Sequence, residues 1–196
     1  MTLLASIIIP VIRPEKAARC IDLAIKRAGI KRDEFEIVTK EDKKRIGCPK
    51  MVKALVKRAK AENIVFLGDD CIPQENWLKE AMRYMSLLKG GWGLVGINDL
   101  SVRRIATHWV AHKKLLPELD GEFFHTGYYH TYCDNELLHK CNEMGRFIFG
   151  EKSIVAHDHP VHTGVSMDAD YLRVYSDDYA AHDRALFLKR YGSNFK

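Results

Sequence analysis

At 196 residues, 46% hydrophobic and 29% charged, the chain has the composition of an ordinary folded domain and is long enough to bury a sizeable core. Its formal charge of +5 suits an anionic small molecule as well as nucleic acid, but no run of five basic residues occurs, which argues against a nucleic-acid-binding tail. The cysteines, Cys20, Cys48, Cys71, Cys133 and Cys141, are odd in number and form no C-x-x-C pair. A disulfide framework and a zinc knuckle are therefore not expected, and a reducing, cytoplasmic setting is.

The apolar stretch within residues 1–12 is too short to span a membrane, ends at Arg13-Pro14 and has no basic leader, so neither a span nor a signal peptide is expected there. Its β-branched part, residues 5–11, predicts a buried strand. Pro14 suits a first helical turn, and Ala17, Ala18, Ile21, Ile25 and Ala28 recur at helical spacing up to Gly29. A second strand is expected over 35–39 and a helix over 50–61, with Met51, Leu55 and Ala59 on one face and Lys53, Lys57 and Lys60 off it. A third strand follows at 64–67. Pro73 is expected to open a helix burying Leu78, Ala81, Met82 and Met85, and Gly90-Gly91 to end it before a fourth strand at 94–97.

Alternating strands and helices predict right-handed crossovers and an α/β/α sandwich with a mostly parallel sheet. Residues 105–112 read as a further strand, with an antiparallel orientation open. A helix is expected over 134–144 with Gly145 past its end, short strands at 147–149 and 153–156, and a tail over 165–196 ending in a helix at about 177–191. The expected organisation is one domain over 1–196. Its expected parts are a first half over 1–100, a second over 101–164 and a helical tail over 165–196.

The sharpest local signal is Ile64-Val65-Phe66-Leu67-Gly68-Asp69-Asp70, a buried strand that delivers two adjacent carboxylates to its C-terminal end. Ligands bind at that edge of open α/β sheets. Neighbouring carboxylates repel unless a cation or solvent compensates, and a divalent ion carrying phosphates is one compensator. A solvated turn is the plainer reading of the pair alone. If the first three strands are parallel, Pro10 and Arg13, the segment Glu41-Asp42 with Lys43, Lys44 and Arg45, and Asp69-Asp70 all face one crevice, which a nucleoside diphosphate would suit. No G-x-x-x-x-G-K-[ST] or G-x-G-x-x-G fingerprint is present, so phosphate would be held through a metal.

Ser6-Ile7-Ile8-Ile9-Pro10, Glu36-Ile37-Val38 running to Glu41-Asp42, and Ala59 through Asp70 together resemble the nucleotide half of GT-A glycosyltransferases, especially the large inverting family 2. The resemblance implies a nucleotide-sugar-dependent transferase with Mn²⁺ or Mg²⁺. It places Glu41 or Asp42 at the nucleotide base, Asp69 near ribose and phosphate, and Asp70 on the metal. Gly68 departs from the family's D-x-D signature, lacking the first carboxylate. Lys53 falls where many relatives have asparagine, and either reaches phosphate or is a solvated helix residue.

Cys133-Asp134-Asn135-Glu136 through Gly145 resembles the family's acceptor-side segment, with Cys133 in place of its first acid. The resemblance makes Asp134 the base that takes the acceptor proton, while its position also suits a helix N-cap. Three histidines, His157, His159 and His162, fall within six residues after a late strand. Histidine joins carboxylates on Mn²⁺-type ions, and the resemblance favours His157, then His159, as the ligand. Tyr128 and Tyr129, in a loop rich in tyrosine and histidine, and Trp109 with His112 on the 105–112 strand, suit a sugar acceptor or packing on the sheet. Arg173, Arg184 and Arg190 of the tail either close over a diphosphate or lie on helix surfaces. A UDP- or GDP-sugar donor and a glycan or other hydroxyl acceptor follow from the resemblance. Two alternatives stay open: a sugar-phosphate nucleotidylyltransferase, disfavoured by a first loop without glycine, and a non-catalytic nucleotide-sugar- or glycan-binding module.

Overall fold

A computed structural model describes residues 3–101, 105–160, 164 and 166–192. The first strand, β1 (Ala5–Val11), is buried along its whole length, as a central strand with helices on both faces should be. Ile7 and Ile9 enter one core layer with Cys20, Val65, Trp77 and Leu78, while Ile8 enters the other with Val52, Leu55, Trp109 and Leu137. This is the two-residue alternation of a pleated strand.

Helix α1 (Pro14–Lys26) carries Pro in its first turn. β2 (Phe35–Glu41) and β3 (Asn63–Phe66) pair in parallel on either side of β1, with α2 (Cys48–Val56) crossing between them. α2 begins and ends earlier than the 50–61 periodicity predicts. Gly47, which precedes it, has φ +96, and a Cβ there would lie 2.8 Å from the Tyr129 carbonyl oxygen, so this turn requires glycine.

Pro73 does not open a helix. It ends a three-residue strand, β4 (Cys71–Pro73), at the edge of the sheet, where a missing N–H is tolerated. Helix α3 (Trp77–Leu87) starts only after Asn76, which sits in the left-handed region at φ 60. β5 (Leu94–Asn98) and β6 (Trp109–His112) follow, then α4 (Cys133–Glu143) and one long strand, β7 (Phe147–His157), where two short strands were expected. Along β5 the register jumps from Ile97 opposite Gly150 to Asn98 opposite Ile154, which explains the interrupted hydrophobic pattern. The tail folds as α5 (Ala169–Val174) and α6 (Asp177–Tyr191).

The seven strands lie in the order β2-β1-β3-β6-β5-β7-β4. β6 is antiparallel to both β3 and β5, and β4 is antiparallel to β7, while the other five strands share one direction. The sheet is thus mixed with a parallel majority, and the helices cover both faces. The β4–β7 ladder places Cys71 opposite His157. It extends through the Asp158 N–H, which donates to the Asp70 carbonyl at 2.9 Å, and so brings the histidine segment beside the acidic pair.

Candidate active site

The C-terminal ends of β1, β2, β3, β5 and β7 border a crevice of about 1240 Å³. It is lined by Pro10, Arg13, Asp42, Asp69, Asp70, Asp134, His157 and His159 among others, so eight positions singled out in the sequence meet there. Among the described residues, no helix is long and apolar enough to cross a membrane.

The two carboxylates of the acidic pair have different surroundings. Asp69 Oδ2 accepts the backbone N–H groups of Ile12 and Arg13, both at 2.7 Å, and its Oδ1 lies 3.0 Å from the Arg13 guanidinium. Its acceptors are therefore spent on fixing the loop after β1. Burial pushes the Asp69 carboxyl up, against the opposing pull of Arg13. Asp70 Oδ1 lies 3.3 Å from His157 Nε2, and its Oδ2 accepts the Tyr171 hydroxyl from α5. Burial alone would raise the Asp70 carboxyl. The hydrogen bond and charge of His157, with Arg13 and Tyr171, hold it well below the usual carboxylate range.

Arg13 crosses this centre. Its guanidinium stacks 4.2 Å from the Tyr171 ring centroid and lies 3.7 Å from Asp168, which caps α5 by accepting the Tyr171 N–H. Arg45 pairs with Asp170 at 3.0 Å. The short tail helix is thereby tied across the mouth of the crevice. His159 packs edge-on to Tyr171, ring centroids 4.7 Å apart, and lies 5.0 Å from the His157 ring. His162 lies outside the described residues.

Two further residues join this centre that sequence reasoning did not single out. Asp99, just past β5, and His108, just before β6, each offer a ligand atom within 4.8 Å of one on His157. Burial pushes the His108 imidazole down to about 3, aided by His157. One signal was available for Asp99: it follows a strand end, as Asp70 does. His108 gives no such signal, because its place depends on β6 being inserted between β3 and β5.

Just past β2, Asp42 is buried and accepts the N–H groups of Ile46 and Gly47 at 2.9 and 3.0 Å, ordering the loop into α2. Asp134 lines the crevice from the first turn of α4 and accepts the Asn135 N–H at 2.9 Å. The N-cap position is Tyr132, which makes no side-chain cap, so Asp134 lies within the first turn and not at the cap. The loop before α4 is fastened from the tail. The carboxylate of Asp183 on α6, fully buried, accepts the N–H groups of Tyr129, His130 and Thr131, each at 2.8 Å.

Several expected positions lie elsewhere. Glu41 is exposed beside Lys43, outside the crevice. Lys53 pairs with Glu122 at 2.8 Å and lines a separate small cavity, because the face of α2 that carries it turns away from the sheet edge. Trp109 is wholly buried against Phe66, Phe123 and Phe124, since a strand in the middle of the sheet is covered on both faces. Tyr128 is also buried, with its hydroxyl donating to Glu136 at 2.7 Å. Tyr129 stacks on His182 and Tyr179 of α6, and His130, Thr131 and Tyr132 of the same loop face the crevice instead. His112 accepts the Lys114 N–H beyond the crevice. Of the tail arginines, Arg173 lines the crevice, whereas Arg190 is bidentate to Glu136 at 2.8 and 2.9 Å. Arg184 is exposed and does not line it.

No family model matches the chain, and the search of curated proteins found no match. Solved structures do match. A mannosyltransferase, PcManGT from Pyrobaculum calidifontis in complex with GDP-Man and Mn²⁺, is similar with a TM-score of 0.71 at 16% identity, over 96% of this chain and 65% of that one. S. aureus TarS in complex with UDP-GlcNAc is similar with a TM-score of 0.67 at 14% identity, over 100% of this chain and 68% of the TarS fragment. A Drosophila β1,4-galactosyltransferase 7 variant in complex with manganese, UDP-Gal and xylobiose gives 0.59 at 13% identity, over 85% and 77%. The chain has the α/β fold these enzymes share, the GT-A fold of nucleotide-sugar glycosyltransferases. It spans about two thirds of the length of the first two.

Proposed function

We propose that the chain is a glycosyltransferase that takes a sugar from a nucleoside-diphosphate donor and passes it, with inversion, to the hydroxyl of a glycan or another acceptor. The observation that carries this reading is that one crevice at the sheet edge holds Asp70 with His157 on one side and Asp134 on the other. The GT-A fold supports it, as do the GDP-Man, UDP-GlcNAc and UDP-Gal of the similar structures, which favour a UDP- or GDP-sugar.

The residues at Asp70 fit a divalent metal. A carboxylate held in its charged form beside imidazole nitrogens, in a buried setting, is a donor set for Mn²⁺ and, less well, for Mg²⁺. Asp70 and His157 would hold the ion, with His159 next to them. When bound, such an ion offsets the charge that builds on a departing diphosphate. Arg13 and Arg173 add positive charge on the same side. Asp42 takes the base-reading role in preference to Glu41, because it alone of the two lines the crevice. Asp69 acts on the donor indirectly, by fixing the backbone of Ile12 and Arg13.

Asp134 serves as the base. It accepts the proton of the acceptor hydroxyl as that oxygen bonds to the anomeric carbon. The bond from that carbon to the diphosphate oxygen breaks, and its electron pair leaves with the phosphate. A single displacement from the opposite face inverts the configuration. The odd set of five thiols favours a reducing compartment, the cytoplasm, as its setting.

A thermal-shift screen of nucleoside diphosphates with and without Mn²⁺ tests the donor site. Stabilisation by UDP or GDP that requires the metal is expected. No stabilisation by any nucleoside diphosphate, with or without metal, would contradict the reading.

A further inference from the structure

We propose that Asp99 and His108 are ligands of the metal, and that His108 takes the place of the side chain Gly68 lacks. The proposal rests on the metal reading above and extends its ligand set to a second pair of strands. Within the Gly68-Asp69-Asp70 triplet, a Cβ added at Gly68 would lie 2.7 Å from Asp70 Oδ1 and 3.3 Å from His108 Nε2. A side chain there would crowd Asp70 Oδ1 first and then press on the His108 ring. His108 thus borders the place that a side chain at Gly68 would occupy.

His108 is 2% exposed, and its ring stands edge-on to that of His157 with centroids 4.7 Å apart. Its Nε2 lies 3.0 Å from Cys71 Sγ, whereas its Nδ1 is buried and has no hydrogen-bond partner among the described residues. A buried polar nitrogen without a partner is costly and uncommon, and it calls for a water or an ion beside it. Asp99 is 5% exposed, and its Oδ1 accepts the Ser101 N–H at 2.9 Å. One ligand atom from each of Asp99, His108 and His157 falls within 4.8 Å of the others, a span that one ion can bridge with small side-chain adjustments.

The chemistry of the set selects its ion. A site of carboxylates alone suits Mg²⁺ and Mn²⁺ alike, whereas two imidazoles shift preference toward transition metals and away from Mg²⁺. The chain should therefore take Mn²⁺, Co²⁺ or Zn²⁺ well before Mg²⁺.

Mn²⁺ binding to the nucleotide-free protein, read as loss of the free-ion EPR signal, tests this without any turnover. Asp99→Asn and His108→Gln, each checked for folding by circular dichroism, should weaken Mn²⁺ by at least about tenfold. Mg²⁺ should displace Mn²⁺ only at a large excess. Pulsed EPR of the wild type counts the bound imidazoles and needs no variant: two are expected. One imidazole, or unchanged Mn²⁺ affinity in both folded variants, overturns the proposal. If Asp70→Asn abolishes binding while Asp99→Asn and His108→Gln both leave it unchanged, the Asp99–His108 pair falls and the broader metal reading stands. If the wild type takes up no metal, both fall.

Discussion

The hydroxyl of Tyr171 donates to Asp70, the carboxylate that also pairs with His157. A residue from the tail helix thus occupies a coordinating oxygen of the carboxylate on which the proposed metal site depends. That hydrogen bond competes with a metal for the negative charge of Asp70. Tyr171→Phe should raise Mn²⁺ affinity by up to about tenfold, as expected for removing one competing hydrogen bond to a charged group. Calorimetry of Mn²⁺ binding checks it. A weaker affinity in the variant would mean that Tyr171 supports the bound state.

Asp69 is expected to act on stability before it acts on chemistry. Its carboxylate satisfies two backbone N–H groups and the Arg13 guanidinium. Asp69→Ala leaves those donors without an acceptor in a buried place, and should cost about 3 kcal/mol in urea unfolding. A loss of donor binding with unchanged stability would reassign Asp69 to direct contact.

Two arginines of the tail separate in the same way. Arg190 is bidentate to buried Glu136, so Arg190→Ala should destabilise the fold by about 2 to 3 kcal/mol. Arg173 lines the crevice, and Arg173→Ala should weaken nucleoside-diphosphate binding with little change in melting temperature. The reverse pattern would show that Arg190 reaches the diphosphate.

Acid should destabilise the protein partly through His130. Burial pushes its imidazole down to about 4, against an unfolded value near 6.5. A histidine whose folded pKa is depressed holds fewer protons folded than unfolded between those values. Stability is therefore full above about pH 6.5 and falls as pH drops toward 4, by at most about 1.4 kcal/mol per pH unit from this group. His130→Gln should flatten the slope of melting temperature against pH across that window, and an unchanged slope would remove His130 from the account.

Much of the site was legible where chemistry follows a strand end. The run Ile64–Leu67 predicts a strand, and any strand parallel to β1 must bring Asp69-Asp70 to the edge bordered by Pro10, Arg13 and Asp42. Pairings made at a distance were not legible. Cys71–Pro73 has the local pattern of a helix start, and only its ladder with β7 turns it into a strand and carries His157 to Asp70. The burial of Trp109 follows from β6 lying between β3 and β5, a strand order that no local pattern encodes. The tyrosine loop faces inward at His130, Thr131 and Tyr132 because Asp183, more than fifty residues later, holds its backbone.

The most direct test of the central claim is release of nucleoside diphosphate from a panel of UDP- and GDP-sugars with Mn²⁺ and candidate acceptors, for the wild type and for Asp134→Asn. The account predicts turnover of at least one donor by the wild type. It predicts a fall of about 100-fold or more in the variant, with donor affinity unchanged, as for loss of a general base. Equal turnover by the two proteins would remove Asp134 as the base, and no turnover of any donor by the folded, metal-loaded wild type would contradict the enzyme itself.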